Sequence, residues 1–313
     1  MPVLRSASKA SKASESDTMQ KSLGTAARLS LDSAVTLRSG HAMPRLGFGV
    51  YQARGDECKN SVTTAIKDGY RHIDSAQAYK NEKLVGAGVT ASGVPRSSIF
   101  LTTKFMPGHS VPTEDEVYEH LTRSPSRIDL SAAAEGREAY IDLMLIHAPR
   151  PNEAARTVHW AALARAQKEG WIRDIGVSNF GVKHLAALPG PIPAVNQIEL
   201  HPWCQQRDIV EYCQDKGIVV QAYCPIARAE PGKLSDPTLV SISEKHGKSA
   251  THVLLRWSLQ KGFVPLPKSV TPARIKSNAE VYDFELDADD MARLDALDQG
   301  RAGCVSWNPV DTE

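Results

Sequence analysis

The chain has 313 residues, 42% of them hydrophobic, with 37 Lys plus Arg against 36 Asp plus Glu. That size allows one large domain or two ordinary ones with a sizeable core, and the near balance of charge leaves no global field favouring nucleic acid or an anionic membrane, so small-molecule chemistry is the better expectation. Uninterrupted apolar runs fall short of the roughly 18 residues of a membrane span, and five cysteines without a CxxC pair fit a reducing compartment and a soluble, cytoplasmic protein.

Residues 1–33 are rich in Ser, Ala and Lys with almost no large apolar groups and read as a disordered N-terminal extension. Arg5, Lys9, Lys12 and Arg28 give it a faint organelle-transit character, which Glu15 and Asp17 weaken, and Met19 offers a second start. Residues 34–313 read as one domain. It opens on a hairpin, AVTLRSGHAMPRLGF, turning at Ser-Gly-His. Strand-like runs then alternate with helical patterns: GFGVY, YRHIDS, IFLTTK, YIDLMLIH, IRDIGVS, AVNQIEL, IVVQAYC and FVPLPKS. Between them lie helical patterns such as CKNSVTTAIKDG, EDEVYEHLTRS, VHWAALARAQKEG, RDIVEYCQDKG and SATHVLLRWSLQKG, several closing on glycine as helix C-termini prefer. Eight such units imply an α/β fold of the (β/α)8 TIM-barrel kind. The alternative, a doubly wound open sheet, would normally carry a glycine-rich turn after its first strand. Gly86-Ala87-Gly88-Val89-Thr90-Ala91 imitates that turn but follows a helical segment and reads as a helix end. The run from Gly176 to Gly181 is one residue too long for a nucleophile elbow.

Asp74, Tyr79, Lys104 and His147 stand at or just past the ends of three successive strand candidates, the rim where barrels place their chemistry. A tyrosine of pKa about 10 needs a nearby positive charge to exchange protons near neutral pH. A lysine at about 4 Å interacts by roughly 4 kcal/mol at an effective dielectric of about 20, enough to lower the phenol by about three units before desolvation subtracts from that. Lys104 is placed to supply that charge, Asp74 to hold Lys104, and His147 to orient a carbonyl toward Tyr79. His201 and Cys204 have ligand-like separation without a second pair at zinc spacing, so no metal is assigned.

The strings GYRHIDSAQAYKNE, LTTKF, LMLIHAP, IGVSNF, VNQIELHP, QAYCPI and PLPKSVTPARIKSN resemble the aldo-keto reductase superfamily in order, content and spacing over about residues 34–300. The resemblance implies a barrel whose bottom is closed by the N-terminal hairpin, a monomer, and NADPH-dependent reduction of aldehydes and ketones. It implies that Tyr79 donates the proton, with Asp74, Lys104 and His147 as its partners. It also implies that Ser178, Asn179 and Gln197 hold the nicotinamide carboxamide, that Tyr223 stacks on its ring, and that Pro225 and Ile226 follow along the cofactor.

Lys268, Ser269, Val270, Thr271 and Arg274 suit a phosphate ester, with cationic, bidentate and hydroxyl partners, and resemble the family's 2′-phosphate clamp, favouring NADPH over NADH. Asn278 resembles an adenine contact, while Ser277 replaces the glutamate common there. Tyr51, Phe105, His147 and Ala148 are the expected substrate contacts; Ala148 replaces a frequent tryptophan, and Met106 with Phe105 another aromatic position. Residues 124–139 run longer than the usual link and should form a surface loop or helix extension. Cys224 replaces a frequent serine and, with Cys304, suggests thiol sensitivity. Histidine at 147, where glutamate marks relatives acting on carbon-carbon double bonds, implies carbonyl reduction. A cofactor-sensing regulatory subunit with little catalysis, or a polyol or secondary-alcohol dehydrogenase running oxidatively, are the alternative functions.

Overall fold

Eight parallel strands lie side by side in chain order in a computed structural model that describes residues 28–313. They are β3 (Phe48–Gly49), β4 (His72–Asp74), β5 (Phe100–Phe105), β6 (Ile141–Ile146), β7 (Ile172–Ser178), β8 (Val195–Glu199), β9 (Val219–Tyr223) and β10 (Val264–Pro265). β1 (Ala34–Thr36) and β2 (Ala42–Pro44) form the separate hairpin. All eight strand candidates of the sequence are present. The sheet closes on itself where Gly47 and Gly49 donate to the carbonyls of Pro265 and Pro267, both at 3.0 Å, beside a parallel bridge between Gly49 and Lys268. Glycine suits that seam: a Cβ on Gly47 would stand 2.4 Å from the Leu266 side chain. The result is a closed (β/α)8 barrel rather than an open sheet. Of the expected extension, residues 1–27 lie outside the described residues; Leu31–Glu313 forms one compact unit.

Strand alternation sorts the side chains into layers. At the N-terminal ends, Phe100, Leu143, Val195 and Val264 cluster with Leu37 and Met43 of the hairpin, which therefore plugs the barrel bottom. One step up, His72 Nε2 lies 3.0 Å from Thr102 Oγ1, and Gln221 donates to Met43 Sδ. At the top stand Asp74, Lys104, Gln197, Glu199 and Tyr223. The intervening residues, such as Ile73, Leu101 and Phe105, face outward and join the larger core between barrel and helices.

The helical patterns fold close to their expected bounds: Gly55–Lys67, Glu114–Leu121, Glu153–Lys168, Arg207–Asp215 and Ala250–Gln260. Local chemistry sets their starts. Thr113 and Glu116 form a capping box, and the side chains of Asn152 and Ser249 each accept from a backbone N–H of the first turn. The Gly86 to Ala91 string is helix interior, not a helix end: it lies within Glu82–Ser92, where a Cβ on Gly88 would meet Val62 and the Lys59 carbonyl at 2.7–2.8 Å. Those glycines let two helices approach closely. The 124–139 segment is a short helix, Pro125–Ile128, followed by turns that Arg137 pins to Asp129. Among the described residues no helix is long and apolar enough to cross a membrane.

Candidate active site

Lys104, fully buried inside the barrel, donates from Nζ to Asp74 Oδ1 at 2.6 Å and to the Ser75 carbonyl at 2.9 Å. The other carboxylate oxygen of Asp74 accepts from Gln197 Nε2 at 2.8 Å. Burial pulls the lysine below its usual value, and the adjacent Asp74 carboxylate and its hydrogen bond oppose that shift. Tyr79 sits on a 3-10 turn, Gln77–Tyr79, that follows β4, with Lys104 Nζ 5.2 Å from its ring centroid. Its side chain hydrogen-bonds to no other described residue.

One expectation is corrected here. The Tyr79 phenol is not lowered: burial first, then the Asp74 charge, push it well above its usual value. Tyr79 therefore stands fully protonated, the state a proton donor requires.

His147 directly follows β6, its amide donating to the Phe105 carbonyl at 2.8 Å, and its ring meets Tyr79 edge to face at 5.7 Å between centroids. Burial, followed by the charges of Lys104 and Arg150, lowers the imidazole to about 3, so it is neutral at physiological pH and keeps one nitrogen as acceptor. Its Nδ1 has no partner among the described residues. A phenol hydroxyl without a protein partner and a neutral imidazole thus stand side by side.

Beside them, Asn179 adopts a left-handed backbone (φ 63°) that turns its amide inward: Nδ2 donates to the His147 carbonyl at 3.0 Å, and Oδ1 accepts from the Tyr223 hydroxyl at 2.8 Å. Ser178 spends its proton on the Gln197 carbonyl, and Gln197 commits Nε2 to Asp74 and Gln221. These two residues thus present acceptor oxygens, which a carboxamide NH2 group needs. Tyr223, at the end of β9, keeps its ring half-buried beside them, and Pro225 and Ile226 lead into a turn in which Ala227, Arg228 and Ala229 are all left-handed.

After β10, Lys268, Thr271 and Arg274 are exposed, and neither cation has an ion-pair partner among the described residues. The Ser269 hydroxyl accepts from the Thr271 amide at 3.2 Å; half-buried Val270 packs on the core, and Asn278 is buried. Unpaired cations beside a hydroxyl and free N–H groups fit a phosphate ester. Ser277 is occupied by His252 Nε2, 2.9 Å from its hydroxyl.

Two expected substrate contacts are corrected. Phe105 is adjacent in β5 to inward-facing Lys104, so it faces outward and packs against His120 and His159 of the helix layer, each at 5.3 Å. Ala148 is fully buried and offers no surface. Tyr51 does stand at the mouth, half exposed and 5.0 Å from the Tyr79 ring. Cys224 lies at the site, but burial pushes its thiol up to about 12, away from reactive thiolate. The His201 and Cys204 pair is structural: His201 bonds Glu199 at 3.1 Å, and Cys204 Sγ lies 3.2 Å from Cys304 Sγ.

Sequence reasoning missed the strap that roofs the site. Glu199, fully buried at the end of β8, accepts from the amides of Val305 and Ser306 and from the Ser306 hydroxyl. That anchor places the Trp307 carbonyl 3.1 Å from the Tyr223 hydroxyl and leaves the indole half exposed, under the guanidinium of Arg150 at 4.8 Å. A glutamate among apolar residues in VNQIELHP was the available signal.

A profile described as the Aldo/keto reductase family matches residues 45–299. Among curated relatives, a glyoxal reductase of Bacillus subtilis is 42% identical over 278 residues, covering 86% of this chain and 94% of its own. A methylglyoxal reductase of Escherichia coli is 38% identical over 271 residues, covering 85% and 94%. Among solved structures, an aldo/keto reductase from Brucella melitensis superposes with a TM-score of 0.78 at 38% identity, covering 86% of this chain and 99% of that one. A Bombyx mori aldo-keto reductase in complex with NADP gives 0.76 at 31% identity, covering 87% and 94%.

Proposed function

The chain belongs to the aldo/keto reductase family and is an oxidoreductase that binds a nicotinamide cofactor; from that premise we propose that it reduces small 1,2-dicarbonyls such as glyoxal and methylglyoxal with NADPH. The observation that carries the reading is the pair of groups free of protein partners, the protonated hydroxyl of Tyr79 and the neutral imidazole of His147, facing one another beside the buried Lys104–Asp74 pair. The similarity to glyoxal and methylglyoxal reductases supports the substrate class.

When bound, the nicotinamide supplies hydride to the carbonyl carbon. Tyr79 gives its proton to the carbonyl oxygen, and the Lys104 ammonium stabilises the phenolate that remains. Neutral His147 hydrogen-bonds the carbonyl and turns it toward Tyr79 without competing as an acid. Ser178, Asn179 and Gln197 would hold the carboxamide, Tyr223, Pro225 and Ile226 the ring side, and Lys268, Ser269, Val270, Thr271, Arg274 and Asn278 the adenosine phosphate end. Unpaired Lys268 and Arg274 favour a 2′-phosphate, hence NADPH over NADH. A cytoplasmic monomer is part of the same reading.

The test is cofactor oxidation with glyoxal and methylglyoxal, NADPH and NADH in parallel. Turnover with NADPH is expected at much lower cofactor concentration than with NADH. Equal use of both, or reduction of an alkene bond in an enal in preference to its carbonyl, overturns the reading.

A further inference from the structure

Arg150 lies three residues past His147, half-buried at the mouth of the site. Among the described residues its buried Nε meets no acceptor, and the one polar contact of its side chain is the Met106 sulfur, 3.6 Å from one terminal nitrogen and a weak acceptor. Trp307 covers one face of the guanidinium at 4.8 Å. A stacking contact occupies a face and leaves the in-plane N–H donors unused.

Other half-buried or buried arginines have oxygen acceptors: Arg96 bonds Asp142 at 2.7 Å, Arg137 bonds Asp129, Arg71 bonds the carbonyls of Ile66 and Tyr70, and Arg156 bonds those of Pro149 and Glu313. Among the described residues no carboxylate pairs with Arg150, although its charge reaches the site strongly enough to help lower the His147 imidazole. A planar guanidinium stacked on an indole, with no carboxylate partner among the described residues and close enough for its charge to act on His147, matches a carboxylate in geometry and charge.

We propose that Arg150 is an anion-recognising residue at the pocket mouth and that the substrates of this enzyme include aldehydes and ketones carrying a carboxylate. The inference rests on the carbonyl-reductase reading and names a substrate feature within it. Trp307 acts as the positioning residue, fixing the guanidinium plane from a strap anchored by Glu199.

The test compares matched substrates, benzaldehyde with 4-carboxybenzaldehyde and butanal with 4-oxobutanoate, in the wild type, Arg150→Met and Arg150→Lys. Arg150→Met is expected to raise KM for the carboxylated partner by about 10- to 100-fold. Its kcat, and KM for the neutral partner, should stay within about threefold, with Arg150→Lys recovering part of the loss. Benzoate binding, followed by tryptophan fluorescence, reads the same subsite without turnover, and Arg150→Met should weaken it at least about tenfold. The inference is overturned if the substitution shifts both partners equally, or if benzoate binds the wild type and Arg150→Met alike. Failure of the wild type to reduce the neutral aldehydes removes the carbonyl-reductase reading instead, and the benzoate titration still decides the role of Arg150.

Discussion

At the floor of the site, Asp74, Lys104 and Gln197 are buried and joined by hydrogen bonds of 2.6–2.8 Å, whereas Lys268, Thr271 and Arg274 after β10 are exposed and without ion pairs among the described residues. The difference fits the roles proposed for the two regions. Proton delivery needs donors fixed to a fraction of an ångström, and a low-dielectric interior with its hydrogen bonds satisfied supplies that rigidity. Capturing a solvated phosphate needs accessible charge, and a surface loop tolerates unpaired cations at little cost in stability.

Substitutions separate the two regions. Tyr79→Phe should lower kcat by about 10²- to 10⁴-fold while leaving NADPH affinity, measured by fluorescence titration, nearly unchanged. Near-normal turnover would show that the floor does not carry the chemistry. Lys104→Met leaves the Asp74 carboxylate buried without its cation and should cost about 3–5 kcal/mol in urea denaturation; adding Asp74→Asn should recover part. If the single variant unfolds like the wild type, the pair is not the structural keystone of the floor. On the other side of the comparison, Arg274→Ala should raise KM for NADPH by about 10- to 100-fold, leave KM for NADH and kcat alone, and leave the denaturation midpoint unmoved.

The smallest effect concerns pH. His147 is lowered from 6.5 to about 3, so between those values the unfolded chain binds more protons than the folded one. Stability is therefore lost as pH falls below 6.5, by about 1 kcal/mol from this residue between pH 6.5 and 5.5. Denaturation of His147→Gln across that interval should be flatter than wild type by that amount; parallel curves would mean that the imidazole is not held neutral.

The barrel was legible because each strand is a short apolar run with its own punctuation, and because hydrophobic periodicity is local. Asp74, Tyr79, Lys104 and His147 were legible because polar residues ending such runs have few places to go except the barrel rim. Phe105 was misassigned although alternation from Lys104 puts it on the outer face; its aromatic identity invited a pocket role that its parity in β5 forbids. Lys104 was expected to lower the Tyr79 phenol, but burial first, and then the Asp74 charge, raise it, and burial is set by folding rather than by spacing along the chain.

The strap was illegible for the opposite reason: Glu199 and Ser306 are separated by 107 residues, and their meeting depends on the closed barrel bringing the top of β8 under the C-terminal segment. The amino-acid sequence by itself determined the alternating elements, the family and the placing of Asp74, Lys104 and His147 at or just past strand ends, since these rest on periodicity and on residue type along the chain. Only the tertiary structure decided which face each strand residue takes, which donors are already spent and which, like those of Arg150, remain free. Hydrogen bonds and burial are properties of pairs brought together by folding, not of residues along the chain.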